Sequence, residues 1–377
     1  MKKFLLIPDS FKGTMSSKEI CTIMERTILR HYPDASITSI PVADGGEGSV
    51  DAFLTALGGR KVEAEVCGPF FEPMRASYGV INDTTAIVEM AACAGLPLVG
   101  DHKRPDLATT YGVGQLIAHA ASNGSKRIIV GLGGSATNDG GVGAAAAVGI
   151  RFFDSKDKEF IPTGRTLSDI RRIDTSGKIN ILDDVEIITM CDIDNPLYGE
   201  HGAAYVFGPQ KGADEQMVEL LDKQLKVLSE TIKEQLHLDV SDIPGAGAAG
   251  GMGSAMVAFF NSSLKMGIEV VLDTVSFDVL LENTDMVFTG EGKLDTSSLR
   301  GKVVIGIAKR TKKADVPLIA VVGDIGDDID QAYQLGLSAV FSINRVAKDF
   351  KQVMKRAPKD LELTVDNIMR FLQRLGW

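Results

Sequence analysis

The feature that most constrains this chain is a recurring unit: a short apolar run of strand length, a polar turn rich in glycine, then a stretch with helical spacing. Phe4–Pro8 runs into Pro8-Asp9-Ser10-Phe11-Lys12-Gly13, after which Ser16, Ser17 and Glu19 mark the start of an amphipathic helix through Leu29. Ile37–Val42 leads into Asp44-Gly45-Gly46-Glu47-Gly48, and Val50–Leu57 then reads as a helix stopped by Gly58-Gly59. The pattern changes near residue 62, where Lys61–Val66, Ala76–Ile81 and Ala86–Met90 predict strands joined by tight, antiparallel turns. A helix at Val113–Ser122, a buried strand at Arg127–Val130, a glycine loop and an Ala-rich helix follow, with further strands expected at Val185–Met190 and Ala203–Phe207. After a long helix, Glu215–Leu236, and a second glycine loop, Gly245–Gly253, the opening pattern resumes. It comprises a strand at Met286–Thr289, a helix at Val303–Lys312, and strands at Leu318–Val322 and Ala339–Ile343. The expected fold class is therefore α/β with two domains. Residues 1–61 plus 276–377 would form a Rossmann-like or flavodoxin-like domain, and residues 62–275 an inserted α/β domain carrying the main glycine loop. Ligands of parallel sheets sit at the carboxyl ends of strands, so the polar turns are expected to line a cleft between the two.

Composition narrows the function classes. A net charge of -10 argues against a nucleic-acid footprint, which needs clustered Lys and Arg. The 40 glycines fall in short clusters, where backbone amides can approach a ligand closely. Cys21, Cys67, Cys93 and Cys191 show no paired spacing, which fits a reducing, cytoplasmic setting better than a zinc or disulfide site. Pro8-Asp9 cuts the first apolar run too short for a signal peptide, and the glycines of 245–260 interrupt the most apolar later stretch, so no membrane span is expected. The five histidines are scattered and support neither a histidine base nor a three-histidine metal site.

The turns carry the chemistry. Asp9 and Lys12 put a carboxylate and an ammonium at a strand end, where Lys12 can hold a carboxylate or phosphate as a point charge. Asp44 and Glu47 flank a helix start and can position Mg²⁺. In Gly131-Leu132-Gly133-Gly134-Ser135-Ala136-Thr137-Asn138-Asp139-Gly140-Gly141, small residues let amides wrap a phosphate. Ser135, Thr137 and Asn138 supply donors there, and Asp139 can reach a metal. The loop is neither a P-loop, which needs Gly-Lys-Ser/Thr, nor a dinucleotide fingerprint. Asp192 and Asp194 would share one face of an extended segment, suiting paired duties of base and metal anchor. Gly247, Gly250 and Gly251 offer only backbone amides, and Lys293 and Arg300 follow the strand that re-enters the terminal domain.

Taken together, these residues resemble the class I bacterial glycerate kinase family. The resemblance rests on Pro-Asp-Ser-Phe-Lys-Gly at 8–13, Ala-Asp-Gly-Gly-Glu-Gly at 43–48, the glycine loop at 131–141, and Cys-Asp-Ile-Asp-Asn-Pro at 191–196. Phe-Gly-Pro-Gln-Lys-Gly at 207–212, Gly-Ala-Gly-Ala-Ala-Gly-Gly-Met-Gly at 245–253 and Thr-Gly-Glu-Gly-Lys-Leu-Asp at 289–295 complete it. Val303 and Met266 stand where relatives often carry proline, and neither touches a polar motif residue. Gly-Leu-Gly-Gly-Ser-Ala alone also resembles the phosphate loop of the galactokinase and homoserine kinase superfamily, which lacks the other six motifs.

The resemblance implies a flavodoxin-like domain with a restriction-endonuclease-like insert, and ATP, Mg²⁺ and D-glycerate as ligands. It leans toward 2-phosphoglycerate over 3-phosphoglycerate. On that basis Gly133, Gly134, Ser135, Thr137, Asn138, Gly247, Gly250 and Gly251 would hold the ATP phosphates. Mg²⁺ would sit on Asp44 and Asp192, with Glu47 or Asp139 behind. Asp192 or Asp194 would be the base, and Lys12 or Lys211 would steady the transferring group. Asp9, Lys211, Lys293 and Arg300 would serve glycerate, the last two through its carboxylate. The chain would act as a monomer or homodimer.

Overall fold

The structure, a computed structural model of the 377-residue chain, describes every residue except 43–45, 47, 347 and 348, and leaves the side chains of Arg300 and Phe350 undescribed. Two compact units are present. One comprises Met1–Asp44, Thr55–Leu57 and Met266–Trp377, the other Gly45–Leu54 and Gly58–Lys265.

The first unit is built on five parallel strands in the order Ala339–Ser342, Leu318–Val322, Met286–Gly290, Lys3–Pro8, Ser36–Ser39. Met286–Gly290 and Leu318–Val322 are buried along their whole length, which is why they read as unbroken apolar runs. One face is covered by the helices Ser17–His31 and Phe350–Arg374, whose Ile20, Met24, Leu361 and Val365 pack against Phe4, Leu6, Phe288 and Val321. The Ser17–His31 helix starts with a reciprocal cap: Glu19 N donates to Ser16 Oγ at 3.3 Å, and Ser16 N donates to Glu19 Oε2 at 2.8 Å. Pro8 stands opposite Gly290, so the turns that begin at Asp9 and Glu291 leave the sheet side by side.

The second unit holds a six-stranded sheet in the order Ser263–Lys265, Glu186–Met190, Arg127–Gly131, Thr85–Glu89, Pro73–Ile81, Arg60–Cys67. The first four run parallel, while Pro73–Ile81 pairs antiparallel with both neighbours, as the tight turns predict. A small antiparallel sheet, Arg151–Phe153 with Glu159–Phe160 and Arg172–Asp174, has no counterpart among the expected elements.

One expected element is corrected: Ala203–Phe207 is helix, not strand. Its apolar look is misleading, because Ala203 and Ala204 are buried while Tyr205 and Val206 face solvent, a helical and not an alternating pattern. Two alanines favour the helix, and the bonds from Val206 N to Gly202 O and Gly208 N to Ala204 O close it.

Candidate active site

In the second unit, the parallel neighbours Arg127–Gly131 and Glu186–Met190 end level, Gly131 opposite Met190, so the glycine loop 131–141 and the acidic segment 191–196 leave the same sheet edge. The second glycine loop folds onto both. Gly140 N donates to Gly250 O at 2.9 Å, Gly247 N donates to Asn195 O at 3.1 Å, and Thr137 Oγ1 donates to Ala249 O at 3.4 Å. Gly250 has φ +71°, and a Cβ there would overlap the Thr137 carbonyl, so the two loops touch only because this residue is glycine.

Lys211, at the end of the one-turn segment Pro209–Lys211, reaches into this assembly. It is 2% exposed, and its Nζ donates to Ser135 Oγ at 2.8 Å and to Thr137 O at 2.7 Å. Burial pushes the ammonium down to about 7, opposed by the field of Asp139, with which it forms no ion pair. A buried amine held only by neutral oxygens beside a glycine loop is suited to an incoming anion. Asn138 points the same way: it is wholly buried, and neither Oδ1 nor Nδ2 has a hydrogen-bond partner among the described residues.

Asp139 is wholly buried, and its bonds define its part. Oδ2 accepts from Thr110 N at 2.8 Å and Thr110 Oγ1 at 2.9 Å, and Oδ1 accepts from Gly141 N at 3.1 Å. Burial raises its pKa above the carboxylate range despite these donors. In this geometry it ties the glycine loop to the start of the Tyr111–Ser122 helix. Gly133 is half-buried and Gly134 exposed at the outer bend, whereas Ser135, Thr137, Gly247, Gly250 and Gly251 are buried. Asp192 is half-buried and Asp194 exposed. The Cys191 thiol beside them is pushed up to about 11, first by burial and then by the two carboxylates, so it is a poor nucleophile.

In the first unit, Asp9 is half-buried and Lys12 exposed. Asp9 N donates to Gly290 O at 2.8 Å, and a Cβ at Gly292 would lie 3.6 Å from Lys12 N, so the turns 8–13 and 289–295 form one wall. Lys293 is exposed and makes a loose 3.9 Å ion pair with Asp295. Asp44 and Glu47 lie outside the described residues, as does the side chain of Arg300. Just past these residues, Glu89 Oε1 accepts from Val50 N at 2.6 Å and fixes the start of the Ser49–Leu57 helix.

Comparison with known proteins decides the family. The model of the glycerate kinase family matches residues 4–373. The chain belongs to the glycerate kinase family. A glycerate kinase of Bacillus cereus is 44% identical over 368 residues, covering 97% of each chain. A glycerate 2-kinase of Escherichia coli is 45% identical, covering 90% of each. The crystal structure of a putative glycerate kinase 2 from Salmonella typhimurium LT2 superposes with a TM-score of 0.88 at 39% identity, over 100% of this chain and 99% of that one. The α/β class and the enzyme class expected from the sequence, a kinase of glycerate, are those this membership supports.

Two site residues escaped the sequence reading. Thr110 lies 29 positions from the carboxylate it holds, with no local signature. Glu291, inside the Thr-Gly-Glu-Gly turn, looks like any exposed turn carboxylate, yet it is 6% exposed. Burial first, with Asp9 and Asp295 adding, pushes its pKa up to about 7, against opposing effects from Ser298 and Lys302.

Proposed function

We propose that this chain transfers the γ-phosphoryl group of ATP to the 2-hydroxyl of D-glycerate. The observation that carries the proposal is the buried Lys211 ammonium, donating to Ser135 and Thr137 inside the glycine loop, where a triphosphate supplies its missing counter-charge. Ser135, Thr137 and Asn138 with the amides of Gly133, Gly134, Gly247, Gly250 and Gly251 hold the phosphates, and Asp139 keeps the loop in shape. Lys12, Asp9, Lys293 and Arg300 take glycerate, its carboxylate on Lys293 and Arg300. Asp192 or Asp194 accepts the hydroxyl proton.

The donor set suits Mg²⁺, a hard cation usually held by one or two carboxylates plus phosphate oxygens. Asp192 and Asp194 are carboxylates on one segment, and no group of three or more potential ligands occurs among the described residues. Mg²⁺ would rest on Asp192 with Asp44, near Glu47, and would neutralise charge on the phosphates. The same proposal places the protein in the cytoplasm, in line with four free cysteines. It also takes the two compact units as separate domains.

Asp192→Asn tests the acidic segment: turnover falls by about 10²–10⁴-fold, and turnover within about threefold of the parent, under roughly 1 kcal/mol of barrier, removes Asp192 from both roles. ADP release across a panel of hydroxy acids and sugars tests the substrate. Glycerate gives the highest kcat/KM, and a sugar or a different hydroxy acid ahead of it rejects the proposal.

A further inference from the structure

The turn after Met286–Gly290 is tied to the segment 323–326 through its backbone. Gly323 N donates to Glu291 O at 3.1 Å, Asp324 N to Gly292 O at 3.1 Å and Gly326 N to Leu294 O at 2.8 Å, and Lys293–Leu294 pairs in parallel with Asp324–Ile325. This clamp fixes the backbone on either side of Glu291 and holds its side chain under cover beside Asp9, at the carboxyl end of the parallel sheet. Within that cover, Glu291 Oε1 has no hydrogen-bond partner among the described residues. A buried carboxyl oxygen left unmatched is uncommon in a folded protein and calls for a donor.

We infer that Glu291 is a specificity-determining residue whose carboxyl takes a hydrogen bond from the 3-hydroxyl of glycerate, the hydroxyl that does not react. The inference rests on the 2-kinase reading above. It follows from where the carboxyl lies: Ser298, Asp9, Lys302 and Asp295 act on it, Lys293, which that reading gives to the substrate carboxylate, comes two residues on along the chain, and Lys12 belongs with Asp9 to the adjoining turn. A ligand whose carboxylate is held there has its hydroxyls as the groups left to satisfy Glu291. With a pKa near 7 the carboxyl can accept from, or donate to, a hydroxyl at neutral pH. A site built this way discriminates strongly against an analogue lacking the hydroxyl, because the buried group is then left unmatched.

The test deletes each hydroxyl from the ligand and the carboxyl from the protein. D-lactate lacks the 3-hydroxyl and 3-hydroxypropanoate lacks the 2-hydroxyl, and both are assayed as competitive inhibitors against glycerate. In Glu291→Ala, the KM for glycerate and the Ki for 3-hydroxypropanoate rise by about tenfold or more, while the Ki for D-lactate stays within about twofold. Glu291→Gln, which keeps an acceptor oxygen and a donor, recovers most of the loss. An equal rise for all three ligands makes Glu291 a structural residue, no rise removes it from the site, and a rise confined to glycerate and D-lactate moves it to the reacting hydroxyl. Each of these overturns the inference. The position of the phosphate on the product is read separately by ³¹P coupling, so a failure of the 2-kinase reading shows there and not in the inhibitor series.

Discussion

Lys211→Met lowers kcat by about 10²–10³-fold while leaving the protein at least as stable as the parent. The activity loss follows from removing a preorganised cation from the place where phosphoryl charge is stabilised, an effect of that size for one buried donor. The stability forecast follows from burial: the ammonium is 2% exposed and bonded only to a hydroxyl and a carbonyl, so an apolar side chain of similar length relieves desolvation. Steady-state kinetics and a thermal melt check both halves. A kinase of unchanged kcat with a lowered melting point makes Lys211 a structural residue.

The same lysine sets a pH dependence. Its pKa lies below the ordinary lysine value, at about 7, so in the free protein it loses its charge as pH rises through that value. Phosphate beside it favours the charged form, so ATP binding at pH 8 takes up about one proton at this site. Calorimetry in two buffers of different ionisation enthalpy reads the number directly.

Gly250→Ala destabilises the second unit by about 4 kcal/mol, combining left-handed strain with an overlap that must push two loops apart. Gly250 has φ +71°, and the added methyl lands on the Thr137 carbonyl and beside the Asn138 Cα. The displaced Thr137 carbonyl is one of the two oxygens that hold Lys211, so ATP affinity falls together with stability. The urea midpoint at constant slope measures the first effect and ATP titration the second. A change below about 1 kcal/mol means the loops do not depend on this contact.

Much of this architecture was legible because glycine and polar residues punctuate buried strands. The parallel strands Lys3–Pro8, Arg127–Gly131 and Met286–Gly290 each end where the turn chemistry says they should. Ala203–Phe207 failed because a five-residue apolar run carries no period, and helix propensity decided it locally. The burial of Lys211 and Glu291 was not legible either. Lys211 lies against Ser135 and Thr137, and the backbone of Glu291 is tied to Gly323, partners too distant in sequence to be read from the local motifs. The tie between Asp139 and Thr110 is hidden for the same reason.

The most direct measurement is the ³¹P spectrum, with proton coupling, of the purified protein incubated with ATP, Mg²⁺ and D-glycerate. The phosphoryl-transfer proposal requires ADP and, in equal amount, a phosphate ester coupled to a single CH proton. ADP without any phosphorylated glycerate, or an ester coupled to a CH₂ pair, contradicts it.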